Sequence, residues 1–161
     1  MRKSPLALLL SLICLISSHN EIQGQGYPPT DSLRQLAATC EGKDKHDLLM
    51  RIAMSTNDIA DWDATLNDAI DRCDTPAICR SRLNRIQCLF NFYSVDSAII
   101  EARESLPFIL NAKQYSFYFS TYNTFISGLF KQRRFDEARE EATTMFCLLY
   151  TSDAADDMQC V

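Results

Sequence analysis

Past its first 26 residues the chain carries one imidazole, His46, set in the acidic and polar run 44–47. That setting reads as a surface position, not as a general base. No Gly-rich phosphate loop, paired His-Glu metal motif or nucleophile elbow occurs in the sequence. The acids are scattered as on solvated helix faces. The residue types therefore call for no catalytic centre, no metal and no cofactor. Of the 7 cysteines, Cys40, Cys73, Cys79 and Cys88 lie clear of both ends. They lack the paired CxxC spacing of a zinc site. Cys73 and Cys79 flank the short turn 74–78, and a disulfide there is reasonable if the Cα atoms come within about 7 Å; buried free thiols are the alternative. What remains is polar groups that can hold a partner without chemistry. Asn84, Gln87 and Asn91 form a stripe at i, i+3, i+7. Ser120, Asn123 and Ser127 repeat that spacing, with Lys131 one turn on. A plain solvated helix face is the alternative for both stripes.

These groups must be positioned by helices. Glycine occurs only 4 times, and the one close pair of prolines, Pro28 and Pro29, stands at the front. The Val/Thr alternation of strands is missing, and Ala, Leu, Ile, Asp, Glu and Arg dominate. Between Tyr27 and Phe146 there are 14 Lys and Arg against 17 Asp and Glu, a net charge of −3. Mild acidity argues against a nucleic-acid binder, which normally presents a basic face.

The start has the three parts of a secretory signal: basic Arg2 and Lys3, an apolar run from Leu6 to Ile16, and small or polar residues to Gly26. The run is about half of the roughly 20 apolar residues that span a bilayer. Residues 1–26 are therefore expected to be a signal peptide, and the chain to be exported to the periplasm or cell envelope. Ile13 ahead of Cys14 disfavours lipidation, which wants a small residue there.

Repeats set the expected architecture. Three segments align without gaps: Trp62–Ala69, Val95–Ala102 and Phe135–Ala142, spaced by 33 and then 40 residues. Each opens on a large apolar residue followed by Asp and closes on Ala. A period near 34 belongs to helical hairpins. The Asp suits the positive end of a helix dipole, and Asp61 and Ser94 are placed to cap the same ends. The expected elements are a first helix over 31–40 with Leu33, Leu36, Ala37 and Cys40 on one face, and hairpins 44–59/62–73, 77–92/95–110 and 115–131/135–146. Thr30 or Asp31 is expected to cap the first helix, and Pro107 to bend or end its own. Trp62, Ala69, Val95, Ala102, Phe135 and Ala142 are expected to be buried. The aromatics Tyr115, Phe117, Tyr118, Phe119, Tyr122 and Phe125 are assigned to the repeat core ahead of a carbohydrate platform.

The run Phe130-Lys131-Gln132-Arg133-Arg134-Phe135-Asp136-Glu137-Ala138 resembles the turn of a tetratricopeptide repeat (TPR). The resemblance implies an all-α chain of antiparallel helical hairpins stacked as a TPR-like α-solenoid, residues 27–146, whose concave side is lined by the first helix of each hairpin. It implies a protein or peptide partner held by Asn84, Gln87, Asn91, Ser120, Asn123, Ser127 and Lys131, and no enzymatic activity in this segment. Exported TPR-like regions are similar to the sensor parts of bacterial membrane sensor histidine kinases. An envelope assembly or glycan-binding helical-repeat protein is the alternative.

The string from Cys147 to Asp156 resembles an uninterrupted translation of a transposase-end sequencing adapter. This implies that 147–161 is adapter-derived and that the natural protein is readable only to about Phe146. Cys147–Tyr150 is expected to extend the last helix by about one turn, and 151–161 to stay loose.

Overall fold

The computed structural model describes residues 29–157, with the backbone alone for 149–157. The expected signal segment and Cys14 lie outside the described residues. Every element among them is a helix: α1 Thr30–Thr39, α2 Gly42–Thr56, α3 Ile59–Asp71, α4 Thr75–Phe92, α5 Val95–Asn111, α6 Tyr115–Lys131 and α7 Phe135–Asp157. The all-α fold follows. Each helix packs on the next in the chain, and α4 also packs on α6.

The helix ends show why the chain turns where it does. Three turns share one geometry, with Cys73, Lys113 and Arg133 in the left-handed region. Behind each, the next amide reaches five residues back: Asp74 to Ala69, Gln114 to Ile109 and Arg134 to Leu129, at 3.1, 3.2 and 2.9 Å. This is the Schellman closure, which satisfies carbonyls left over at a helix C-terminus. It uses no glycine here, so the left-handed residue carries some strain. At the other ends, Asp74 accepts from the Ala77 amide (3.1 Å) with Pro76 in the first turn. Ser94 accepts from Ser97 (3.2 Å), as expected.

Several expectations change. Asp61 does not cap α3. The helix begins earlier, at Ile59, and Asp58 caps it by accepting from Ala60 (2.9 Å). That places Asp61 inside the first turn, buried, where it binds Arg34 of α1 (2.9 Å) and Thr56 of α2 (2.8 Å). Neither Thr30 nor Asp31 caps α1, and Leu36 is exposed while Leu33 and Ala37 are buried, because α1 turns its apolar seam to α2 and reaches α3 only through the Arg34 side chain. Pro107 does not end α5, which runs on to Asn111. The proline withholds one N–H from the ladder, and the turns on either side keep theirs. The last helix runs to Asp157, further than expected; no Gly or Pro interrupts 135–157.

The main core lies between α4, α5 and α6, with Ile86, Ala102, Ile109, Phe125 and Leu129 buried at its centre. Tyr118, Tyr122 and Phe125 stack edge to face along α6 with centroids 5.5 and 6.0 Å apart. These three are buried, as a core assignment requires; Phe117 and Phe119 are half-buried and Tyr115 is exposed. Of the six repeat positions, Trp62, Ala69 and Ala102 are buried, Val95 and Ala142 half-buried, and Phe135 is 47% exposed. Phe135 departs from expectation because, among the described residues, no further helix packs over its face.

Gly128 sets the α5–α6 distance. A Cβ there would stand 2.7 Å from Ile99 Cγ1 and 3.7 Å from Val95 Cγ1. Alanine gains about 1 kcal/mol of helix propensity but forces an overpacking cost of about 1–3 kcal/mol. Gly128→Ala should therefore lower stability, by about 1 kcal/mol, in urea unfolding. Ile99→Ala alone should cost about 2–5 kcal/mol. The double variant should be clearly more stable than the sum of the two, because the second change vacates the space that the first requires.

Candidate functional site

Where hairpin α2–α3 meets α4, a notch of about 190 Å³ is lined by Asn57, Asn84, Gln87 and Asn91 together with Met54, Trp62, Cys88 and Phe92. Its rim comes from one helix face. Asn84, Gln87 and Asn91 fall on successive turns of α4, Asn84 half-buried and the other two exposed. Asn57 arrives from the opposite wall as the left-handed C-cap of α2, its amide bonded back to Ala53 O (2.9 Å).

The floor is a stacking contact. Trp62, in the first turn of α3, is 4% exposed and packs with Met50, Ala53 and Cys88. Its indole Nε1 is buried without an oxygen acceptor, the Cys88 thiol alone standing beside it. The Cys88 Sγ–H donates in turn to Asn57 O at 3.3 Å. Burial pushes the Cys88 thiol up, against the smaller opposing effect of the Trp62 indole N–H. The side-chain amides of Asn84, Gln87 and Asn91 bond no other group among the described residues. A carboxamide offers two donors and an acceptor with two lone pairs. Three of them on one edge, above an apolar floor, can match the alternating N–H and C=O groups of an extended main chain.

The second stripe is less concentrated. Ser120, Asn123 and Ser127 are exposed along α6 and form no part of the notch. Lys131 does reach back to α4: its Nζ lies 4.5 Å from the Phe90 ring centroid, next to Asn91. The structure thus brings the α4 stripe to one notch and leaves the α6 stripe outside it, Lys131 meeting α4 at Phe90.

A larger hollow of about 410 Å³ lies between α3, α4 and α5, and its cations are already engaged. Arg85 pairs with Asp63 (2.6 Å) and with Glu101, while Arg82 lies over the Phe108 ring. It offers a partner less than the open carboxamides do.

His46 is not at the surface. It is 5% exposed, and its Nδ1 is 3.1 Å from Asp68 Oδ2. Asp68 also takes Arg72 Nε at 3.1 Å and attracts Lys45 Nζ at 3.7 Å. The polar sequence around His46 gave no sign of this, since its partner is on the next helix. Cys73 and Cys79 are both free thiols. Cys73 occupies the exposed left-handed turn position, whereas Cys79 is fully buried in the main core, where burial raises its thiol pKa. The buried-thiol alternative describes Cys79 and not Cys73. Among the described residues no group of His, Cys, Asp and Glu could hold a metal ion, and no helix is long and apolar enough to cross a membrane.

No family model, curated protein or solved structure matches this chain.

Two measurements test this geometry. Asp68→Ala should destabilise the protein by about 3 kcal/mol, because it leaves His46, Arg72 and Lys45 without their shared carboxylate; a loss under 1 kcal/mol in denaturant melts would contradict the buried cluster. In thiol alkylation at mildly alkaline pH followed by mass spectrometry, Cys73 should label quickly. Cys79 and Cys88 should label only on unfolding, because burial both shields them and disfavours the thiolate.

Proposed function

We propose that the chain is a helical-repeat binding module that grips an extended protein or peptide segment, and that it does no chemistry of its own. The observation that carries this reading is the set of unpaired carboxamides on Asn84, Gln87 and Asn91 around the Trp62 notch. In a TPR-like stack this is the side formed by the first helix of each hairpin, and stacked hairpins offer such a surface for extended partners. With a secretory signal in front, the module belongs in the periplasm as the sensing part of a longer signalling protein of the sensor histidine kinase type. The glycan-binding alternative gains nothing from the centre of α6, where Tyr118, Tyr122 and Phe125 are buried.

The test is display of random extended peptides against the folded protein. Enriched peptides should bind the double variant Asn84→Ala/Asn91→Ala about ten-fold more weakly or worse, the effect of losing two or so hydrogen bonds. Asn123→Ala, which lies off the notch, should bind as before. Absence of enrichment, or enrichment indifferent to Asn84 and Asn91, would sink the reading. The signalling half of the proposal is tested at the genomic locus: a hydrophobic span and kinase domain should follow the codon for Phe146.

A further inference from the structure

We infer that a separate hollow, at the N-terminal ends of α2, α4 and α6, binds a free amino acid with an apolar side chain. It goes beyond the peptide-binding reading, and a Trp62 notch that grips nothing would leave it standing.

The hollow has a volume of about 340 Å³, within the range of small-molecule sites. Lys43 from the first turn of α2, Pro76 from that of α4 and Phe117 from that of α6 all line it. Three helix ends of positive sign therefore lie at its walls. Asp47, one turn after Lys43, and Arg80, one turn after Pro76, complete the charged lining.

These charges are uncommitted. Lys43, Asp47 and Arg80 are exposed and make no hydrogen bond or ion pair among the described residues. In the hollow between α3, α4 and α5, by contrast, Arg85 already holds two carboxylates. Two cations brought to one hollow from two helices, with no anion between them, attract a carboxylate, and Arg80 can grip it with two parallel bonds. Asp74 does not supply that anion. It accepts from the Ala77 amide (3.1 Å) and pairs with Arg72 (3.0 Å), and these two hold its carboxyl below the usual range. Asp47 is thus the one acid of the lining left open. Two free positive charges and one free negative charge complement a zwitterion whose carboxylate is held twice.

The inner wall adds an acceptor. His46 is 5% exposed and lines the hollow, with its Nδ1 3.1 Å from Asp68 Oδ2. With Nδ1–H donating to that carboxylate, Nε2 presents a lone pair, and it is buried without a partner. An ammonium seated between Asp47 and the imidazole would supply the missing donor. Phe117 and Pro76 leave an apolar wall for the ligand's side chain. A free amino acid carries carboxylate, ammonium and apolar group in one short molecule. Either end of a peptide carries only one of the two charges.

Titration of the isotope-labelled full chain with phenylalanine and leucine, followed by NMR, tests this. Amide shifts should saturate and centre on residues 43–47 and 74–80. N-acetylphenylalanine and phenylalaninamide keep one charge each and stand for the two ends of a peptide. Both should bind at least about ten-fold more weakly than phenylalanine. Arg80→Ala should weaken phenylalanine about ten-fold without weakening phenylalaninamide. Asp47→Asn should weaken phenylalanine without weakening N-acetylphenylalanine. Both side chains are exposed, so both variants should fold. The proposal is overturned if no shift saturates below about 10 mM ligand, or if neither substitution weakens phenylalanine. It is also overturned if inorganic phosphate or either blocked analogue binds as tightly as phenylalanine.

Discussion

Gly128 lies so close to Ile99 and Val95 that a single added carbon would meet Ile99 at 2.7 Å. Cys88 has the corresponding place over Trp62. The packing of successive hairpins depends on this close approach between the second helix of one and the first helix of the next. A hairpin of two amphipathic helices buries only the faces it turns inward, and the outer faces need a neighbour. A small residue at the crossing lets the backbones come near enough for Ile86, Ala102, Ile109 and Leu129 to lose contact with water completely. A larger residue would hold the helices apart and reopen that core, at a cost that grows with the void left behind.

The front of the molecule is held differently. Around α1, α2 and α3 the apolar cluster is small: Leu33, Ala37, Leu48 and Ile52. Two buried carboxylates act beside it. Asp61 ties α1 to α2 through Arg34 and Thr56, and Asp68 gathers His46 and Lys45 of α2 with Arg72 at the end of its own helix. Desolvating a carboxylate is expensive, so such a cluster contributes little to net stability. Its value lies in geometry. A seam of Leu and Ala alone could slide by a turn, whereas a carboxylate with three designated donors cannot. The Arg103–Glu137 pair between α5 and α7 is more exposed and contributes less.

Local signals made part of this legible in the sequence. The third hairpin was readable to the residue at its start, turn and restart, because Tyr115, Lys131 and Phe135 bound an uninterrupted apolar period with a basic turn between. Ser94 was readable as a cap since its partner is three residues away. Failures came where the deciding partner is distant. Asp58 and Asp61 are equally good caps on paper; Arg34, 27 residues earlier, draws Asp61 inward. His46 looked solvated because Asp68 is 22 residues off. Phe135 matched the repeat pattern, but burial there depends on a covering element that the pattern does not record, and it is exposed. The stripe on α4 was legible as a face, yet only the arrival of Asn57 and Trp62 from the previous hairpin made it a notch.

Helix packing and the proposed binding share atoms at that notch. Cys88 is the small residue that seats Trp62, and it also forms a wall of the notch and donates to Asn57 O. Any tilt of α4 relative to the first hairpin must move Cys88, and with it the distance between Asn57 and the Asn84–Asn91 edge. A segment bridging that gap would therefore bind most tightly at one angle between the hairpins, and by linkage would hold the stack at that angle. The indole Nε1 of Trp62, with only the Cys88 thiol beside it, makes the floor responsive as well, since a small opening would let it find an oxygen acceptor that the closed contact denies it. Under the proposed function, hairpins joined through such contacts would report on what they hold by a change in the angle between them, with no change in the helices themselves.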